Sequence, residues 1–417
     1  MKTIFFIKSL LMVVCCMFCQ YLSCKSPSFQ IDTDFPGGNI QVVSINDNVI
    51  QLRQDLRDTE GHWFYWSFRV RGAAGRTLNF EFTNGSVISS RGPAVSTDGG
   101  FTWRWLGDLG FSDAGFQYSF GAEEHEVHFG MGMNYTEKNL QRFLDKYKNH
   151  PDLKIETLCV SRKGRDVELL RIQNKNRTPE FKIFLSSRHH CGEMMATYAL
   201  EGIIESVLSD TEDGCWLRDH GDFFIVPFVD KDGVEDGDQG KNRRPHDHNR
   251  DYIQRIHPEI RAITEQIPKW IDGKPVFFLD MHCPGHRGGS DGNAPEKGTN
   301  EYIYFVGINP EVYTGNFGEK LHRFGIILET AKKGAIPYQA AFNLPYGVAW
   351  NTAANYKTSG LQKASEWGAT LHNAIFSGSI EIPFANASGV VVDANSACEL
   401  GCDLARAIRA YLEEFFQ

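Results

Sequence analysis

Cysteine is sparse once the start of the chain is set aside. Four of the ten cysteines (Cys15, Cys16, Cys19 and Cys24) crowd into the first 24 residues, and the other six (Cys159, Cys191, Cys215, Cys283, Cys398 and Cys402) are scattered through the rest of the 417-residue chain. That scatter excludes a disulfide scaffold. No C-x-x-C pair occurs among those six, so a zinc ribbon is excluded too. No apolar run approaches the roughly 20 residues that span a bilayer. Positive charge is also in deficit: Lys plus Arg number 43 against 52 Asp plus Glu, a net −9. A chain this acidic is a poor partner for nucleic acid or anionic membrane. Internal repeats and low-complexity tracts are lacking, which excludes solenoids and disordered arrays.

What remains is globular, with 41% hydrophobic and 23% charged residues and 30 phenylalanines for the core. The length predicts two or three domains. Residues 1–24 read as an export signal: Lys2 and Lys8, then the apolar run Leu10 to Cys19. Cleavage near Ser23 is one outcome. The other is a lipobox, Tyr21-Leu22-Ser23-Cys24, with Cys24 acylated. Either outcome predicts an exported protein: periplasmic, a cell-surface lipoprotein or secreted. Loss of Lys2 and Lys8 with the leader takes the net charge to −11.

Residues 25–133 read as an all-β sandwich, with short alternating runs such as Trp63 to Arg71 and Leu78 to Phe82 between Gly, Asn and Asp turns. From residue 134 to 417 the pattern becomes α/β. Strands are expected at Lys182–Ser187, Phe223–Phe228, Val276–Met281, Tyr302–Val306 and Ser379–Ile382. Helices are expected at Met194–Leu208, Ile253–Gln266, Gly318–Lys332, Leu361–His372 and Ala397–Phe416. This predicts a mixed, mainly parallel sheet flanked by helices. Lys231 to His248 reads as a long polar loop, and such loops often carry function.

Four elements of the second part can carry chemistry. His190-Cys191-Gly192-Glu193 follows a strand and opens a helix, so imidazole and carboxylate can face one point, as zinc ligands do. Against this stands a helix-start His followed by a first-turn Glu that the helix dipole favours. Val276 to His282 is an apolar strand ending Asp-Met-His, and ligands gather at such strand ends, where His282 could equally be a buried structural residue. Arg243-Arg244-Pro245-His246-Asp247-His248-Asn249-Arg250 offers an Arg beside an amide for carboxylate capture and an Asp able to hold a ligand histidine; its His246 and His248 form an H-x-H that could bind metal instead, and otherwise it is a solvated basic loop. Asp230, Asp232, Asp236 and Asp238 precede it, but Val234 falls where a calcium loop needs an oxygen. Glu381, in an apolar strand, can serve as a general base or simply point to solvent.

In this order and strand context, these elements resemble the zinc carboxypeptidases, over residues about 134 to 417. The Trp63 to Trp66 stretch and the β-rich front segment resemble the cytosolic carboxypeptidase subgroup, as does Phe224 to Val234. The resemblance implies a single Zn²⁺ per chain held by His190, Glu193 and His282. It implies that Asp247 orients His190, and that Asn249 and Arg250 bind the substrate's free carboxylate. Arg243, or its neighbour Arg244, would polarise the scissile carbonyl, and Glu381 would be the general base. Tyr356 is the nearest counterpart of the family's substrate tyrosine, at irregular spacing.

The implied activity is hydrolysis of the C-terminal peptide bond of peptides or proteins, with peptide C-termini as the partner and no membrane span beyond a possible anchor at Cys24. Two other readings compete. One is a zinc amidohydrolase that deacylates N-acyl amino acids, which also carry a free carboxylate. The other is a non-catalytic binding protein, against which stands the complete set of core residues. Lys357, Lys363 and the arginines are the cations available to a specificity pocket.

Overall fold

The computed structural model describes residues 29–61, 63–107, 110–288, 299–356 and 361–416. The residues expected to form an export signal, and Cys24, lie outside the described residues, as does Lys357. Among the described residues no helix is long and apolar enough to cross a membrane.

Alternation in the front segment folds as the sequence predicts, into two five-stranded sheets. Ser67–Arg71 and Glu126–Gly130 sit in one sheet, Thr77–Phe82 and Gly115–Ser119 in the other. Their inward phenylalanines meet at a tilt: Phe68 lies 5.3 Å from Phe80 at 50°, and Phe116 lies 5.3 Å from Phe129 at 43°. Rings at such spacings bury large areas and add edge and stacking attraction.

The rest is built on one seven-stranded sheet. Its centre is four neighbouring parallel strands in the order Gly221–Val226, Phe181–Ser187, Val276–His282 and Ala374–Glu381. The outer pairings are antiparallel, so the sheet is mixed with a parallel heart. Central strands read as continuous apolar runs because both faces are covered. Ile183, Leu185, Phe277 and Leu279 pack toward the helices Met195–Leu208, Phe317–Ala331 and Ala394–Glu413. Their alternate neighbours Phe184, Val276 and Phe278 pack toward Pro258–Ile271 and Ala364–Ala369. Two of these helices touch through glycine: a Cβ on Gly202 would stand 1.9 Å from the Cys398 carbonyl oxygen, and one on Gly401 would stand 1.9 Å from that of Ala199.

Several expected boundaries move. The helix expected from Ile253 begins at Pro258, since proline suits the first helical turn and disfavours helix before it. The one expected over Leu361–His372 is only Ala364–Ala369. The hairpin Leu153–Val160 and Asp166–Ile172 and the helix Glu212–His220 were not expected. Nor is the segment after Lys231 all loop. Asp230 caps a short helix, Lys231–Asp236, by accepting the Gly233 N–H at 3.0 Å, and Gly237 ends it at φ +75°. Asp232 and Asp236 there pair with Arg165, at 2.8 and 2.7 Å.

Candidate metal and active site

The carboxyl ends of the parallel strands open into a cavity of about 640 Å³. Its lining includes His190, Asn249, Arg250, His282, Lys363 and Glu381. Local sequence explains the convergence. His190 follows the end of Phe181–Ser187, with Glu193 three residues on. His282 is the last residue of its strand, and pairing in register sets it directly beside Glu381, the last residue of the next.

Both ring Nδ1 atoms aim at one carboxylate. His190 Nδ1 is 3.0 Å from Glu193 Oε1, and His282 Nδ1 is 2.7 Å from Glu193 Oε2. Potential ligand atoms of the three residues lie within 4.8 Å of one another, and all three are buried. The far nitrogen of each ring faces an aspartate. His282 Nε2 is 2.5 Å from Asp280 Oδ2, and His190 Nε2 is 3.6 Å from Asp247 Oδ1. A carboxylate behind a ligand imidazole fixes its tautomer and raises its basicity. Two neutral-capable imidazoles and a carboxylate, each ring backed by an acid and the set open to a cavity, form a donor set that fits zinc.

Charges around the set follow from burial and neighbours. Burial alone would raise the Asp247 carboxyl, but His190 and the Arg250 and His248 charges hold it well below the usual carboxylate range. Burial would keep His282 neutral, yet Asp280 and Glu193 push its pKa well up. Glu381 is pushed up to about 7 by burial, with Glu193 adding and His282 and Lys241 opposing. Its Oε2 is buried without a hydrogen-bond partner.

Asn249 and Arg250 belong to the 3₁₀ turn His248–Arg250. Asn249 Oδ1 accepts the Ala364 N–H at 2.8 Å, and its Nδ2 lies 3.1 Å from His282 Nε2. Arg250 lines the cavity, with Nη1 donating to the Asn249 carbonyl at 2.9 Å. Arg244 is 82% exposed and pairs with Glu60. Arg243 lines the cavity but is caged. Nε donates to Asp58 at 3.0 Å, Nη1 to Asp230 at 2.5 Å and Nη2 to Asp238 at 3.1 Å. Tyr356 closes a short 3₁₀ turn, Ala353–Tyr356.

Four participants were missed in the sequence. Asp280 gave a usable signal, since it shares a strand face with His282. Lys241, whose Nζ is 2.7 Å from Glu193 Oε1, gave none. His189 and Tyr252 extend the Asp280 network: His189 Nδ1 is 2.8 Å from Asp280 Oδ1, and Nε2 is 2.8 Å from the Tyr252 hydroxyl. Another buried group, His248, His257 and Glu259, also gathers potential ligand atoms. Its two rings stack 3.8 Å apart at 27°, so their in-plane lone pairs cannot meet on one ion. Cys191 Sγ turns aside to the Asp238 carbonyl, at 3.1 Å.

Residues 31–149 match the family profile described as "Cytosolic carboxypeptidase N-terminal domain", and residues 140–277 match the one described as "Zinc carboxypeptidase". Together the two matches identify a zinc carboxypeptidase domain preceded by a cytosolic carboxypeptidase N-terminal domain. The family match spans His190, Glu193 and Asp247 to Arg250 and stops short of His282 and Glu381, which the fold brings to the same cavity. Among its relatives, mouse cytosolic carboxypeptidase 2 is 28% identical over 61% of this chain. That alignment covers 34% of the mouse protein, so the chain spans about a third of its relative's length. Two solved structures share the fold across nearly the whole chain. A metallo-carboxypeptidase from Burkholderia cenocepacia superposes with a TM-score of 0.71 at 20% identity, covering 93% of this chain and all of that one. One from Pseudomonas aeruginosa, solved with (2-guanidinoethylmercapto)succinic acid, gives 0.70 at 22% identity, covering 92% of this chain and 99% of that one.

Proposed function

We propose that the protein is a zinc-dependent metallocarboxypeptidase that removes C-terminal residues from peptides or proteins. One observation carries this reading: the His190, Glu193 and His282 donor set, Glu381 and Arg250 all meet at a single cavity at the strand ends. His190, Glu193 and His282 would hold one zinc, which when bound supplies Lewis acidity toward a carbonyl and a water of lowered pKa. Every other step belongs to the chain. Arg250, with Asn249 beside it, meets the terminal carboxylate and sets the exopeptidase register. Glu381 accepts a proton from the attacking water and passes it to the departing amine. Asp247 and Asp280 keep the ligand rings in one tautomer. Export, with or without a lipid anchor at Cys24, is part of the proposal and is supported by the Lys2, Lys8 and Leu10 to Cys19 pattern.

The test is zinc analysis of the purified protein together with hydrolysis of a blocked dipeptide. About one zinc per chain and release of the C-terminal amino acid are expected. A zinc-loaded protein that releases amino acids only from N-acyl amino acids would instead be the deacylase. One with neither zinc nor turnover would be a binding protein.

A further inference from the structure

Amide hydrolysis builds negative charge on the carbonyl oxygen, and a fixed cation or hydrogen-bond donor at that point is commonly the largest single source of rate. The arginine expected there is already committed. Arg243 gives its Nε, Nη1 and Nη2 to three different aspartates, and Nη2 also lies 3.7 Å from Cys191 Sγ. Those carboxylates raise its pKa far above the usual arginine value against the pull of burial. Turning it toward a substrate would strand buried anions, which costs several kcal/mol.

Lys241, two residues earlier, is placed differently. Its ammonium is 2.7 Å from Glu193 Oε1 and 5.2 Å over the Trp63 ring, and its side chain is 20% exposed on the cavity wall. The backbone that presents it is fixed from the β sandwich. Asp58 accepts the N–H groups of Gln239 and Gly240, each at 2.9 Å, through its two oxygens. Gln239 pairs with the Tyr65 backbone in both directions, at 2.8 and 2.7 Å. Gly240 itself, at φ +82°, lies so close to Cys191 that a Cβ would stand 2.5 Å from the Cys191 nitrogen. The loop is therefore locked onto the segment that carries His190, with Lys241 pointing into the cavity.

We infer that Lys241 is the cation that polarises the scissile carbonyl, and that the caged Arg243 serves to hold the loop that carries it. This rests on the carboxypeptidase reading. As water adds to the carbonyl carbon, the C=O π pair moves onto oxygen, where the Lys241 ammonium meets it without giving up its proton. One water proton goes to Glu381 and then to the amine nitrogen as the C–N bond breaks. The oxygen pair re-forms C=O, and the new acid loses its second proton to solvent.

The experiment compares wild type, Lys241→Met and Lys241→Arg in three readouts: steady-state kinetics on a blocked dipeptide, zinc content by mass spectrometry, and affinity for a phosphonate dipeptide analogue against that for the product amino acid. Lys241→Met should lose about 10²–10³-fold in kcat with zinc content unchanged. Phosphonate affinity should fall with it while product affinity holds, because the lost contact exists only when charge is on the oxygen. Lys241→Arg should recover part of both losses. A Met variant within about threefold of wild type in kcat and phosphonate affinity overturns the assignment. So does parallel loss of zinc and activity, which would make Lys241 a support for Glu193. Wild type that cleaves no free-acid peptide overturns the carboxypeptidase reading itself, and the Lys241 role falls with it.

Discussion

Asp280 and His282 stand two residues apart on one strand and are joined by a 2.5 Å contact between Oδ2 and Nε2. Strand residues i and i+2 share a face, so the carboxylate sits behind the ring and Nδ1 is left to point at Glu193. The other oxygen of Asp280 accepts from Ser186 Oγ and faces His189 Nδ1, both at 2.8 Å. Asp280 is thus held from three sides and cannot swing away from His282.

Replacing that carboxylate is the first prediction. Asp280→Asn removes the charge that stabilises the ring and gives one face of the group a donor where two partners also donate. Zinc affinity should fall about 10–100-fold, read by competition with a chromogenic chelator. His282→Ala should lose far more. Wild-type affinity in Asp280→Asn would show that His282 needs no carboxylate behind it.

The second concerns Glu381. The Gln side chain is nearly isosteric but accepts no proton. Glu381→Gln should retain zinc and lose about 10²–10⁴-fold in kcat, the usual contribution of a placed general base. Near wild-type turnover in the Gln variant would send the search to another carboxylate.

The third tests the substrate terminus. Amidating a peptide's C-terminus leaves Arg250 without its anion. Losing one charge-assisted contact at a desolvated site costs roughly 2–5 kcal/mol, about thirty-fold to several-thousand-fold in kcat/KM. Arg250→Ala should show that loss on the free acid and little further loss on the amide, since both changes delete one interaction. Equal wild-type rates on acid and amide would mean an endopeptidase.

These residues differ in how far the sequence exposed them. His282 and Glu381 were legible because each ends an apolar strand, and His190 and Glu193 because their H-x-x-E spacing follows the end of another; strand order sends those ends to one edge. The role expected of Arg243 was not settled by any local pattern. Its partner Asp58 is 185 residues away in sequence, and nothing near position 58 signals a cage. Lys241 was hidden for the opposite reason: a lone lysine in a polar run reads as solvated until the fold turns it inward. The strand Leu153–Val160 escaped because its exposed edge position leaves both its faces mixed.

The last prediction joins Lys363 to pH. Lys363 precedes the helix Ala364–Ala369 and lines the cavity along with Arg250. It is buried, 3.9 Å from Glu366. Burial lowers its pKa to about 8, with Arg250 adding to the shift and Glu366 and Glu381 opposing it. Below that value the side chain is an ammonium, and above it an amine. A terminal residue bound at Arg250 places its own side chain within the same cavity, so an acidic side chain gains from the charged form and a neutral one does not. Between pH 7 and 9, KM for a peptide ending in glutamate should therefore rise relative to KM for the same peptide ending in glutamine, with a midpoint near 8. The sign is fixed by the cation: protonation favours the anion, so affinity is lost as pH increases. Lys363→Met should make the ratio of the two KM values flat across that range and should lower the glutamate preference at pH 7. A glutamate-to-glutamine ratio that keeps its pH dependence in Lys363→Met would assign the preference to another group.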